Sequence, residues 1–281
     1  MKEVYRIMNY QYLGEKEVVD AGFMNAKKCV TKLREYEQKI TSGALQFGRL
    51  LDHQEQTEEE ALKIPAGIMA ALAAPKLVRS DPRVLSLIGT GPVNYCALLC
   101  FLELFPSVDT IKLKGSSLNS RSAQNIRDYL QEDYPQVRRT IICETLEEAC
   151  RGADILLEAQ GRDTIRENRF GFDWIKRGAT VFSMGHFVVE DRQGFRGMKL
   201  VTDQYDLYDK YMDEFVAQGP MGEDGMKREW GVMGMHFVHL VKCHGMDREN
   251  VLDVAAIING TEQGRTSEEE TVMCGLGINL I

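Results

Sequence analysis

RVLSLIGTGPVNYCALLCFLELF, residues 83–105, is the stretch on which the fold turns. Residues 84–88 form a short apolar run that Gly89 stops, too short for a buried helix, so it reads as a central parallel strand. Gly89-Thr90-Gly91 is the turn. Pro92 stands where a helix begins, because its missing N–H and fixed φ suit the first helical position. Strand, glycine turn and helix make a phosphate cradle: glycine lets backbone approach a pyrophosphate, and the helix start offers free N–H groups and a positive dipole end. The pattern predicts that Gly89, Thr90, Gly91, Pro92 and Val93 contact a dinucleotide. Asn94 stands where the third glycine or alanine of the fingerprint is usual.

A second strand, Thr110–Lys114, follows at the spacing of a βαβ unit. A carboxylate at its end would hold the adenosine ribose hydroxyls of NAD. Residues 112–121 read KLKGSSLNSR and carry no acid, whereas Lys114, Ser116, Ser117 and Arg121 suit a 2′-phosphate through charge-assisted hydrogen bonds. The expectation is therefore NADP in preference to NAD.

Strand and helix patterns alternate from residue 83 onward, which predicts an α/β fold: a Rossmann-like, doubly wound parallel sheet with a reduced, mainly helical N-terminal region. Strands are expected at 141–143, 154–159, 180–183, 199–202 and 271–274. Helices are expected after Asn119 or Ser120, after a Thr145/Glu148 capping box, and around 206–217, 235–243 and 248–259. Ahead of the sheet, Asn25 can cap a helix with Ala26, Cys29, Val30, Leu33 and Tyr36 on one face. Residues 64–78, IPAGIMAALAAPKLV, read as a connecting helix that Pro75 bends or ends. This divides the chain into an N-terminal helical or oligomerisation region (1–80), a nucleotide-binding domain (81–260) and a C-terminal strand returning to the N-terminal region (261–281). With little chain to cover them, the first-region helices suggest a subunit interface, hence a homo-oligomer or a subunit of a hetero-complex.

The 281 residues are 44% hydrophobic and 27% charged, as in ordinary globular proteins. A net charge of −8 argues against a nucleic-acid partner, which would need a basic face. No apolar stretch reaches membrane-spanning length, and MKEVYRIMNY lacks the apolar centre of a signal peptide. Seven cysteines without paired spacing suit a reducing compartment, so a cytoplasmic location is expected. Cys96 and Cys100 read as small core residues. His236, His239 and Cys243 share one helical face and raise the question of zinc, but with no second clustered pair the face reads as an amphipathic edge. Asp203, Asp206, Asp209 and Asp213 read as a charged outer face.

The order of pieces resembles the ornithine cyclodeaminase and mu-crystallin family. The resemblance runs through Tyr12-Leu13-Gly14-Glu15-Lys16-Glu17-Val18, the alanine-rich helix, Leu87-Ile88-Gly89-Thr90-Gly91, Gly152-Ala153-Asp154-Ile155, Gly178-Ala179-Thr180-Val181 with Met184-Gly185, and the 264–270 segment GRTSEEE. Leu200-Val201-Thr202-Asp203 and Gly234-Met235-His236-Phe237-Val238 look closest to the tyramine oxidase-type subgroup of that family. The resemblance implies that Met184 and Gly185 join the cofactor site. It also implies an oxidoreductase-type protein acting on a small amino, imino or keto acid.

Against that pattern, the segment 41–63 is too short for the sheet that carries the family's substrate-holding arginine and lysine. The second arginine maps to Pro65, and the catalytic aspartate maps near Phe187. An α-amino acid needs a cation for its carboxylate and an acid or base for its amine proton, and neither is supplied here at matching positions. His186, at the carboxyl end of a strand with Glu158, Arg162 and Asp163 near the previous one, is the candidate replacement for catalysis. The alternative expectation is a catalytically reduced nucleotide-binding subunit that regulates or completes a partner protein.

Overall fold

The computed structural model describes residues 65–160, 169–189, 191–217 and 230–277. The helix expected over Ala26–Tyr36, the opening motif at Tyr12–Val18, and Arg162 and Asp163 lie outside them.

Strand β1 (Val84–Ile88) is buried along its last four residues, so both its faces must be covered. Parallel neighbours flank it: β2 (Thr110–Lys114) on one side and β4 (Ile155–Glu158) on the other. With β3 (Arg139–Ile142), β5 (Thr180–Ser183), β7 (Lys199–Thr202), β9 (Val251–Asp253) and β10 (Val272–Gly275), they form one parallel sheet in the order β3-β2-β1-β4-β5-β10-β7-β9. One face, including Leu85 and Leu87, packs on helices α1 (Pro65–Leu77), α2 (Pro92–Leu104), α3 (Arg121–Asp133) and α7 (Val254–Ile258). The other, including Ile88 and Leu156, packs on α4 (Leu146–Cys150), α5 (Tyr205–Ala217) and α6 (Met233–His244). This is the doubly wound α/β arrangement expected from the pattern.

Local chemistry sets several helix starts. Ser120 caps α3, accepting from Ala123 N–H, and Thr145 and Glu148 cap α4 reciprocally. Gly245 ends α6 in the left-handed region at φ 63°. Cys100 is a core residue, and Cys96 is partly buried.

Tertiary contacts override the periodicity in four places. Residues 248–259 read as one helix, but Val251–Asp253 is a strand, because its apolar residues find a parallel partner in β7 and Asp253 accepts Tyr205 N–H at the start of α5 at 2.8 Å. Strands β6 (His186–Val188) and β8 (Trp230–Val232) form an antiparallel pair outside the main sheet, a long-range pairing with no local signature. Asp203 is not on an outer face: it is buried, accepting from Thr202 Oγ1 and Gln204 N–H. Helix α1 is not left uncovered either. Ala70, Ala71, Ala73 and Ala74 are buried within this chain, and Gly67 lets α2 approach so closely that a Cβ there would meet Val93 O at 3.0 Å. That packing removes α1 from the reasons for expecting a subunit interface.

Strand β10 lies inside the main sheet between β5 and β7. The segment ahead of it meets the end of α1: Arg265 N–H donates to Lys76 O, and the Arg265 guanidinium donates to Leu77 O and Thr180 Oγ1.

The amino ends of the central strands are joined by Asp154, which is 2% exposed. Its carboxylate accepts from Arg83 N–H, Val84 N–H and Lys176 Nζ, at 2.9, 3.0 and 2.5 Å, and pairs with Arg79. Burial alone would raise its pKa, but these donors reverse the effect and hold it below the ordinary carboxylate value. Removing the carboxylate strands two backbone donors near the β1–β4 junction. Asp154→Ala is expected to cost about 2–3 kcal/mol in urea unfolding, whereas surface Glu147→Ala should cost less than about 0.5 kcal/mol.

Candidate functional site

Strand order reverses between β1 and β4, with β2 and β3 to one side and β4 and β5 to the other. Open α/β sheets bind ligands in the crevice at the carboxyl edge of such a switch point. The glycine turn sits there. Gly89 has φ 90°, donates its N–H to Lys114 O at 2.9 Å, and passes so near β4 that a Cβ would lie 2.7 Å from Ala159 O. Gly91 is exposed, with open space where its side chain would be. It is the N-cap of α2 and offers no side-chain cap; the helical bond that closes onto it is Tyr95 N–H to Gly91 O at 3.0 Å. The N–H groups ahead of Tyr95, at Val93 among others, have no acceptor within the helix, and Pro92 has none to satisfy.

Asn94 explains its place in the fingerprint. Its side chain is fully buried, and Nδ2 donates to Ile88 O, Gly89 O and Leu157 O at 2.8, 2.7 and 3.2 Å. It ties the turn to the ends of both β1 and β4, filling the space that a third glycine would leave for close helix–strand packing.

The turn after β2 is joined to the cradle by hydroxyls. Thr90 Oγ1 and Ser122 Oγ are 2.6 Å apart, and Ser122 Oγ lies 3.0 Å from Ser120 Oγ. Gly115 has no room for a side chain, because a Cβ would meet Ser120 Oγ at 2.6 Å. Lys114 is half-buried with Nζ on Gly115 O at 2.7 Å, while Ser116, Ser117 and Arg121 are exposed beside it. The structure therefore brings the residues proposed at the turn after β1 and those at the turn after β2 to one rim.

Met184 and Gly185, beyond β5, stand at the same carboxyl edge. Met184 N–H donates to Glu158 O at 2.7 Å, and a Cβ on Gly185 would lie 2.4 Å from Gln160 N. Between them is Glu158, the last residue of β4 and fully buried. Its carboxyl accepts Ser183 Oγ–H and Gln160 N–H, both at 2.6 Å. Burial outweighs these donors and raises its pKa to about 7. The sequence placed Glu158 near the site; its burial and its grip on both loops come from the pairing of β4 with β5.

His186 is not the end of β5 but the first residue of β6. It is half-buried, and its backbone N–H donates to Gln160 O at 3.1 Å. Phe187, where the family aspartate maps, is buried, and its ring stacks on Phe170 at 4.1 Å, so it offers no proton-transfer group. Its carbonyl is held by His236 Nε2–H at 2.8 Å, and His236 Nδ1 accepts from Arg192 Nε–H at 2.9 Å. Burial and then the Arg192 charge push the His236 pKa down to about 3, so a neutral imidazole buttresses β6. Cys243, on the same helix, is exposed. Neither the reach of Asn94 to Leu157 O nor the role of His236 could be assigned from spacing, since these carbonyls are distant in sequence.

Residues 61–278 match the ornithine cyclodeaminase/mu-crystallin family, and the chain belongs to it. Its fold is shared with Δ1-pyrroline-2-carboxylate reductase of Thermococcus litoralis, solved with NADH and L-proline (17% identity, TM-score 0.55, covering 80% of this chain and 62% of that one). It is shared also with an archaeal alanine dehydrogenase dimer with bound NAD (18%, 0.53, covering 76% and 59%). A third similar structure is the iminosuccinate reductase of Paracoccus denitrificans with NAD+ (13%, 0.52, covering 76% and 59%). The chain thus spans about three-fifths of the length of these structures. No curated protein sequence matches it.

A carboxyl whose pKa is raised on folding binds its proton more tightly in the folded state, so folding stability falls as pH rises from the unfolded value toward 7. For Glu158 the loss is on the order of 2–3 kcal/mol. Urea denaturation at pH 5 and pH 8 is expected to show this decline in the native protein and a flatter profile in Glu158→Gln.

Proposed function

We propose that this member of the family binds a nicotinamide dinucleotide, NADP(H) in preference to NAD(H), and is an oxidoreductase acting on a small amino, imino or keto acid. The observation that carries the reading is the uncapped start of α2, reached through a positive-φ glycine and an open Gly91 at the sheet's switch point. Gly89, Thr90, Gly91, Pro92 and Val93 would hold the diphosphate. Lys114, Ser116, Ser117 and Arg121 would meet a 2′-phosphate, and Met184 and Gly185 would line the nicotinamide half. The similar structures solved with NADH or NAD support the class of cofactor.

A bound nicotinamide supplies hydride exchange at its C4. The chain supplies geometry: the cradle fixes the diphosphate, the Glu158 clasp sets the β4 and β5 loops, and His186 on β6 is the candidate for moving the substrate proton. His236 and Phe187 O set the position of β6 beneath it. The resemblance of residues 200–203 and 234–238 to the tyramine oxidase-type subgroup falls at the end of β7 and the start of α6. A homo-oligomer or a hetero-complex in the cytoplasm remains our expectation, and light scattering and co-purification test the assembly.

Calorimetric titration is expected to give at least tenfold tighter binding of NADPH than of NADH. Arg121→Ala should lose most of that difference, about 1–2 kcal/mol, with little change for NADH. Equal affinities in the native protein would reject the preference. Turnover of a panel of imino and keto acids with NADPH should fall at least a hundredfold in His186→Ala. Tight binding without turnover of any of them would instead favour the reduced-subunit reading.

A further inference from the structure

Glu158 is not needed to form a phosphate cradle, yet it is a fully buried carboxyl one residue from the point where β4 touches the glycine turn. Leu157 O receives Asn94 Nδ2, Ala159 N–H donates to Ile88 O, and Ala159 O lies against Gly89. The residues on both sides of Glu158 are therefore part of the floor under the turn. Its own carboxyl holds Gln160 and Ser183, at the ends of β4 and β5. A dinucleotide lying across a switch point puts its first half over β1 and β2 and carries its second half over β4 and β5.

Among the described residues, the groups set against the carboxyl by strand register are uncharged. β1 presents Ile88 at the paired register and β5 presents Ser183, while α2 contributes the neutral amide of Asn94 to the neighbouring carbonyl. Among the described residues, no charged side chain acts on it. His186 is the titratable side chain that β6 brings to this end, and its backbone reaches Gln160 O. A proton on Glu158 thus changes the net charge of this part of the crevice floor by one unit, with no described counter-ion to cancel it.

We propose that Glu158 determines which redox state of the nicotinamide nucleotide this protein prefers, its ionised carboxylate favouring the cationic oxidised ring and its protonated form removing that preference. The inference rests on the nucleotide-binding reading above. The oxidised ring carries a positive charge that the reduced ring lacks, so a buried unit charge in the crevice floor would act on one form and not on the other. At an effective dielectric near 20, two unit charges within about 10 Å differ from a neutral pair by on the order of tenfold in affinity. Burial places the titration in the neutral range, so the preference changes near pH 7.

The test is titration of the purified full chain with NADP+ and NADPH at pH 6 and pH 8, alongside Glu158→Gln, Ser183→Ala and His186→Gln. In the native protein the ratio of NADP+ to NADPH affinity is expected to rise several-fold, up to about tenfold, between pH 6 and pH 8. Glu158→Gln should give the same ratio at both values, and His186→Gln should keep the native change. Ser183→Ala, which removes one donor to the carboxylate, should move the change to higher pH. Difference infrared spectra of the nucleotide-free protein between the two pH values should show a protonated-carboxyl band that Glu158→Gln lacks. Binding with an unchanged ratio in the native protein, or a pH-dependent ratio surviving in folded Glu158→Gln, overturns the inference and leaves the cofactor reading standing. Failure of the native protein to bind either nucleotide overturns both.

Discussion

The side-chain amide of Asn94 is the contact on which the crevice depends. From the first turn of α2 it reaches the last carbonyl of β1, the carbonyl of Gly89 and the β4 carbonyl of Leu157. Ile88 O also accepts Ala159 N–H from β4, so the last ladder bond between the two strands and the amide meet on one acceptor. An amide that donates to both strands and to Gly89 O ties them to α2 without a charge. Gly89 can then run against Ala159 O, and β4 is brought into line with β5, where Ser183 reaches Glu158.

The two ends of the sheet are built from different chemistry. At the amino end, charged groups do the joining: Asp154 with Lys176, Arg79 and two backbone N–H groups, Arg265 on carbonyls of α1 and of its own segment, and Lys199 with Glu270. These contacts are partly wet, and losing one leaves the others. At the carboxyl end the joining groups are buried and mostly neutral: Asn94, Ser183 with Glu158, and His236 between Phe187 O and Arg192. Low local polarity strengthens each of these bonds and makes the protonation state of each titratable member consequential. The division matches what each end must do, since one end only holds strands together and the other has to leave backbone donors exposed.

Much of the scaffold was legible because its signals are local. Val84–Ile88 followed by glycine, Ser120 ahead of α3, and Thr145 with Glu148 each satisfy their own backbone groups within a few residues. Where pairing partners are distant, the pattern misled or was silent. Val251–Asp253 looks helical in isolation but becomes a strand because β7 offers an open parallel edge. The β6–β8 pair joins segments more than forty residues apart, and Asp203 turns inward because Thr202 and the start of α5 supply its donors.

The sequence by itself determined the βαβ unit, the position of the glycine turn, the uncapped helix start with Pro92, and the absence of an acid between Lys114 and Arg121, because these are properties of residue types at fixed short spacing. Only the tertiary structure decided that Asn94 is a clasp, that Phe187 is packed against Phe170, that His236 is a neutral buttress, and that Glu158 is a dry carboxyl between two loops. Each of these depends on which backbone carbonyls, N–H groups and apolar surfaces lie within a few ångströms. That is set when strands distant in the chain pair side by side and exclude water from the ends they share.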